Sequence, residues 1–351
     1  MLQLISNVIE VKMSNFFNKL FGKKKDEQQP IDVDTSTAKS SLKLGLALSG
    51  GGTRGLAYLG AFRALEENGV HFDYVSGTSV GSLMGAVYAS KISLDELEQK
   101  AKSVTSKDIL TNHFKFMPSG TQKFSTFIKS VLDGKGFGDF EIPLTIVATD
   151  IISGNEIWIN QGDIGDAIAG SCAVPFIFKP VEFNGYRLYD GGLVNNIPAD
   201  VVRDMGADIV IAFDINPERG FGTDSTKTWE ELKAALRILM KSNSVNGYVY
   251  SDAVVKIDLS NYDRTKLDDV DGLIREGYEQ TIKQMPEILR AIRKSKPDED
   301  IKKTERRLKN MIKTRKKFER RQQKLIDKGV IVDVNQKRNN ARVVIQTGED
   351  E

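Results

Sequence analysis

Six residues, Gly50-Gly51-Gly52-Thr53-Arg54-Gly55, separate one apolar run from a second whose spacing is helical. Backbone stripped of side chains suits two anions: a nucleotide phosphate, or the oxyanion formed when an ester carbonyl is attacked. The stretch fits the dinucleotide pattern G-x-G-x-x-G, which by itself is a weak match. That reading needs an acidic residue near the end of the second strand. In Phe72-Asp73-Tyr74-Val75-Ser76 the acid lies at the start, and no phosphate loop ending in Gly-Lys-Ser/Thr is present. The second strand leads instead into Gly77-Thr78-Ser79-Val80-Gly81 and a small-residue apolar helix. G-x-S-x-G between strand and helix is a nucleophile elbow, with Gly77 and Gly81 leaving room for a sharp turn that lifts the serine hydroxyl. The helix N-terminus favours negative charge beside that serine. Adjacent parallel strands bring both loops to one sheet edge, so the Gly50–Gly55 backbone is expected to donate to the oxyanion produced by Ser79.

A serine nucleophile needs a base. The chain has two histidines. His71 lies at the far end of the strand that leads to Ser79, roughly 17 Å away at about 3.3 Å per residue. His113 follows a helix of no special character. A carboxylate is therefore favoured. Asp190, in "YRLYDGGLVNNIPADVV", is the first candidate, with bare glycine backbone on one side and a helix opening at Pro198. Asp-Gly-Gly is also an ordinary tight turn, and Asp150, ending "LTIVATD", competes. Arg54 has two readings, contact with an anionic substrate group or a structural ion pair.

The elements that must position these residues alternate. Strands are expected at 42–48, 72–76, 144–149, 156–160, 208–214 and 254–259, and helices at 55–68, 80–90, 94–103, 124–132, 163–171, 228–240 and 272–294. This alternation predicts a three-layer α/β/α domain with a mainly parallel central sheet, spanning 42–295. Residues 1–41 divide into a short amphipathic piece with Phe16, Phe17, Leu20 and Phe21 on one face, and a polar linker. Met13 is an alternative start. Residues 296–351 read as a long charged helix over 300–328 followed by two short strands joined by a polar turn.

The net charge of +2 conceals an uneven distribution. Residues 302–328 hold thirteen Lys/Arg against Glu305, Glu319 and Asp327. Such a segment seeks an anionic partner. An anionic membrane surface is favoured, because no aromatic stacking platform accompanies the charge and nucleic acid is not expected. The single cysteine, Cys172, excludes an internal disulfide and a multi-cysteine metal cluster, and reads as a core residue. No apolar run reaches the length of a membrane span and no secretory signal is recognisable. The expected location is cytoplasmic, peripheral on the inner membrane face.

In the order Gly-Gly-Gly-Thr-Arg-Gly, Gly-Thr-Ser-Val-Gly, Asp-Gly-Gly, the chain resembles the patatin-like phospholipases over about 42–259. Softer agreement occurs in "VATDIISGNEIW" and "SCAVPFIFKPVEFNGYRLYDGG". The resemblance implies a serine–aspartate dyad that hydrolyses acyl esters of phospholipids or lysophospholipids. Ser79 is then the nucleophile and Asp190 the general base. Gly51 and Gly52 form the oxyanion hole, Gly50 shapes its loop, and Arg54 supports the loop or a head group. Neither a metal nor an organic cofactor is implied. Two alternatives remain: an acyltransferase with the same dyad, and a non-catalytic membrane-associated regulator.

Overall fold

A computed structural model describes residues 42–103, 119–217, 227–263, 269–294 and 342–345. The chain divides into Met1–Ser41 and Leu42–Glu351, and all described residues belong to the second unit. The amphipathic N-terminal piece, the basic helix expected over 300–328, the first strand of the expected C-terminal pair and His113 lie outside the described residues.

The chain opens with β1 (Leu44–Leu48), a 3-10 turn (Gly52–Leu56) and α1 (Ala57–Glu67). Next come β2 (Tyr74–Thr78), α2 (Val80–Ser90), α3 (Leu94–Ser103) and α4 (Gln122–Val131). The middle holds β3 (Leu144–Asp150), β4 (Glu156–Ile159), α5 (Ile164–Ser171), β5 (Val181–Phe183) and β6 (Tyr186–Asp190). It continues through α6 (Ala199–Asp204), β7 (Ile209–Asp214), α7 (Thr228–Ser242) and α8 (Val245–Tyr250). The last elements are β8 (Ala253–Lys256), α9 (Val270–Lys294) and β9 (Arg342–Ile345).

Parallel pairing joins β3, β2, β1, β7 and β8, while β4 and β6 lie antiparallel to β3 and β5 lies antiparallel to β6. The sheet is mixed but mainly parallel at its centre. Every residue of β3 and β7 is buried, as apolar strands covered on both faces require. The pleat deals the residues of β1 and β7 to two cores. Leu46, Leu48, Ile211 and Phe213 join the larger one, packed under α1, α2, α5 and α9, whereas Ala47, Val210 and Ala212 meet Ala199 and Val202 of α6 on the opposite face.

Three features that the sequence pattern does not give have physical reasons. β2 starts at Tyr74 and runs through Thr78, because pairing with Leu144–Val147 carries the strand up to the elbow itself. The short α8 escapes the periodicity reading, since six residues are under two turns. Arg342–Ile345 pairs parallel with β4, extending the sheet from a position remote in sequence.

One register decides where chemistry is possible. β4 occupies one edge of β3, along Ile146–Thr149. The other edge is shared: β2 pairs with it as far as Thr78 opposite Val147, and β6 takes over at the next rung with Asp190 opposite Ala148. The residue after Thr78 therefore emerges beside Asp190.

Candidate active site

That residue is Ser79. It sits at φ 54°, ψ −130°, a conformation costing a non-glycine residue about 1–3 kcal/mol. The surroundings hold it there. Its amide donates to Ser171 Oγ (2.8 Å), whose hydroxyl donates to the Val147 carbonyl (2.6 Å), and its carbonyl accepts from Ser82 Oγ (2.6 Å). The turn is also sterically exclusive: a Cβ on Gly81 would lie 2.3 Å from the Leu48 carbonyl oxygen. Gly81→Ala should cost about 3 kcal/mol of stability through this backbone clash, read as a lowered urea midpoint. An unchanged midpoint would show that the elbow tolerates a side chain.

With its backbone held by others, Ser79 keeps its hydroxyl for Asp190, donating to Oδ2 at 2.7 Å. Asp190 is completely buried. Its Oδ1 accepts from the Gly192 amide (2.8 Å), its amide donates to Ala173, and its carbonyl accepts from Thr149 Oγ1. Burial pushes the Asp190 carboxyl up to about 6, against the pull of the hydrogen bonds from Ser79 and Gly192.

The rival carboxylate is employed elsewhere. Burial raises the affinity of Asp150 for a proton, but hydrogen bonds from Ser153, Arg187 and Ile152 outweigh it and hold this carboxyl below its ordinary value. Asp150 thus organises the turn after β3. His71 is exposed, before the start of β2.

The glycine loop lies directly against the serine. A Cβ on Gly50 would come within 3.1 Å of Ser79 Cβ and 2.8 Å of Asn196 Oδ1. The Gly50 amide is committed to the Asn196 carbonyl (3.3 Å), and Gly52 adopts φ 62°, a region that favours glycine. Among the described residues the amides of Gly51 and Gly52 have no hydrogen-bond acceptor. Arg54 is buried: Nε and Nη2 donate to the Tyr262 carbonyl, and Nη1 donates to Asn216 Oδ1 (3.0 Å). It ties the glycine loop to the segments after β7 and β8.

Sequence reasoning missed several neighbours. Cys172 is buried as expected of a core residue, but its thiol lies against the Ser79 and Ser82 hydroxyls, and burial followed by the Asp190 charge pushes it upward. Ser171 and Asn216 carry no local signal, since their partners are 92 and 166 residues away. Among the described residues no group of three His, Cys, Asp or Glu side chains is placed to hold a metal ion.

Residues 46–203, a span that includes the glycine loop, the elbow and Asp190, match the family model described as patatin-like phospholipase. Over this span the chain is similar to the patatin-like phospholipases. An uncharacterized NTE family protein of Mycobacterium tuberculosis is 32% identical over 199 residues, covering 54% of this chain and 55% of the relative. Human patatin-like phospholipase domain-containing protein 6 is 32% identical over 225 residues, 62% of this chain but 16% of that much longer protein. The chain thus spans about half the length, or less, of these relatives. Among solved structures, VipD from Legionella pneumophila superposes with a TM-score of 0.50 at 16% identity, covering 69% of this chain and 66% of VipD. At that identity the likeness concerns the fold, and it agrees with the mixed, centrally parallel sheet of the patatin-like domain.

Proposed function

We propose that the patatin-like domain hydrolyses carboxylic esters of lipids, of the phospholipase A or lysophospholipase type, with Ser79 and Asp190 as its dyad. The observation that carries this reading is the 2.7 Å hydrogen bond from Ser79 Oγ to a buried carboxylate. An aspartate is ordinarily a weak base at neutral pH. Raised to about 6, Asp190 is better matched to a proton in flight, while remaining mostly ionised at pH 7.

In the proposed cycle, Ser79 Oγ attacks the ester carbonyl carbon as its proton passes to Asp190 Oδ2. The carbonyl oxygen becomes an oxyanion that accepts hydrogen bonds from Gly51 and Gly52. Collapse breaks the ester C–O bond, the departing alkoxide takes the proton from Asp190, and an acyl-enzyme remains. Water attacks that ester, again losing a proton to Asp190, and the fatty acid leaves as Ser79 recovers its proton. No step asks for a metal or an organic cofactor.

A lipid substrate is supported by the surface beside the site. The side chain of Met240, on α7, approaches Gly192, while α7 and α8 expose Leu232, Ile238, Leu239, Val245 and Val249. Among the described residues no helix is long and apolar enough to cross a membrane. The test is release of free fatty acid from phospholipid and lysophospholipid by purified protein. Transfer of the acyl group to an added lysolipid would make it an acyltransferase, and silence on every ester would favour the non-catalytic reading.

Peripheral attachment through the basic segment 302–328 belongs to the same proposal. Each Lys or Arg near an anionic surface contributes about 1 kcal/mol. Replacing six of its thirteen basic residues with glutamine should weaken binding to anionic vesicles at least 100-fold in a sedimentation assay. Unchanged binding would remove this segment from the reading. Substitution is preferable to truncation, because Arg342–Ile345 is part of the sheet.

A further inference from the structure

The glycine loop is gripped from behind by one residue that has no sequence motif. Asn216, after β7, is buried and has its polar groups engaged. Its Nδ2 donates to the Gly50 carbonyl (2.7 Å), its Oδ1 accepts from Arg54 Nη1 (3.0 Å), and its amide donates to Asp214 Oδ1 (2.8 Å). Its carbonyl accepts from Lys241 Nζ, on α7. The frame behind it is itself braced: Asp214 is completely buried, and its Oδ2 accepts from both Lys241 Nζ and the Tyr248 hydroxyl. A Cβ on Gly51 would meet Ile215 and come within 2.9 Å of Asn216 Nδ2, so the loop is seated against this segment without a gap.

The peptide linking Gly50 to Gly51 is planar and trans, so its carbonyl and its N–H point in opposite directions. Anchoring the Gly50 oxygen on Asn216 therefore turns the Gly51 N–H away from Asn216, and this amide has no acceptor among the described residues. We infer that Asn216 is a positioning residue for ester hydrolysis: it holds the Gly50–Gly51 peptide in the one orientation that aims the Gly51 N–H at the oxyanion. Released from this anchor, the plane can rotate and the donor is lost to the transition state. The inference rests on the reading of Ser79 as nucleophile.

Asn216→Asp is the sharpest test, because it keeps the shape and the acceptor for Arg54 but removes the donor to Gly50. Removing an oxyanion donor outright lowers kcat by about 100- to 1000-fold, and a misaimed donor should forfeit part of that. Asn216→Asp is expected to lower kcat for an oxygen ester at least 20-fold with KM within twofold. With the matching thionoester, whose sulfur is a poor hydrogen-bond acceptor, the fall should be at least fivefold smaller. Asn216→Ala, which introduces no charge, should repeat the pattern. An unchanged kcat, an equal fall for both esters, or failure of both variants to fold would overturn the inference. Ser79→Ala in parallel separates the two levels. Activity that survives Ser79→Ala sinks the dyad reading, whereas activity abolished there but intact in Asn216→Asp sinks only the role of Asn216.

Discussion

Ser79→Ala is expected to lower ester hydrolysis by roughly 10⁵-fold or more, to the background of the assay. The size follows from the chemistry. Without Oγ there is no acyl-enzyme, and Asp190 has no hydroxyl to deprotonate. Stability should change little by comparison. The elbow holds residue 79 at φ 54° whatever its side chain, while Asp190 loses its 2.7 Å donor. A properly folded variant with full activity would remove Ser79 from the mechanism.

Asp190→Asn is expected to cost about 10³- to 10⁴-fold in kcat/KM, the range set by loss of a positioned general base. The asparagine keeps an acceptor for the Gly192 amide and can hydrogen-bond Ser79, so packing is preserved and only proton transfer is removed. The wild-type pH profile should report the same group. Asp190 works as a base when ionised, so kcat/KM should rise with pH, inflect near the carboxyl's value of about 6, and level off above it. The linked effect on stability has the opposite sign. Because the folded carboxyl binds its proton more tightly than the unfolded one, its contribution to stability is present in acid and is lost as pH rises through about 6. Keeping Asp190 ionised at pH 8 costs on the order of 3 kcal/mol, a cost that a neutral asparagine side chain does not carry. The inactive variant should accordingly melt a few degrees above wild type at pH 8 and show little gain at pH 4. A melting advantage independent of pH would contradict the burial argument.

The site was unevenly legible. Ser79 and the glycines around it can be read from sequence because steric demands act over a few neighbours. Gly81 has no room for a side chain beside the Leu48 carbonyl, and such a demand leaves a local motif. Choosing between Asp190 and Asp150 was different. Both end strands, and what separates them is the shared edge of β3, where Asp190 takes the rung beyond Thr78 while Asp150 turns to Ser153. Asn216, Lys241 and Ser171 leave no trace at all, since each acts on a partner far along the chain through hydrogen bonds of ordinary side-chain chemistry. The fold divides likewise. Long buried strands such as β3 and β7 announce themselves as apolar runs. β9 gives no hint of its pairing partner, because register with β4 is settled by tertiary contact.

The account turns on Ser79 being activated by Asp190, and a fluorophosphonate probe with mass-spectrometric mapping tests this most directly. The intact protein should be labelled on Ser79, faster as pH rises through about 6, and Asp190→Asn should label at least 100-fold more slowly. Where the free protein stays unlabelled, the same result should appear with anionic vesicles present. Label at another residue, label on Ser79 at an unchanged rate in Asp190→Asn, or no label in either condition would contradict it.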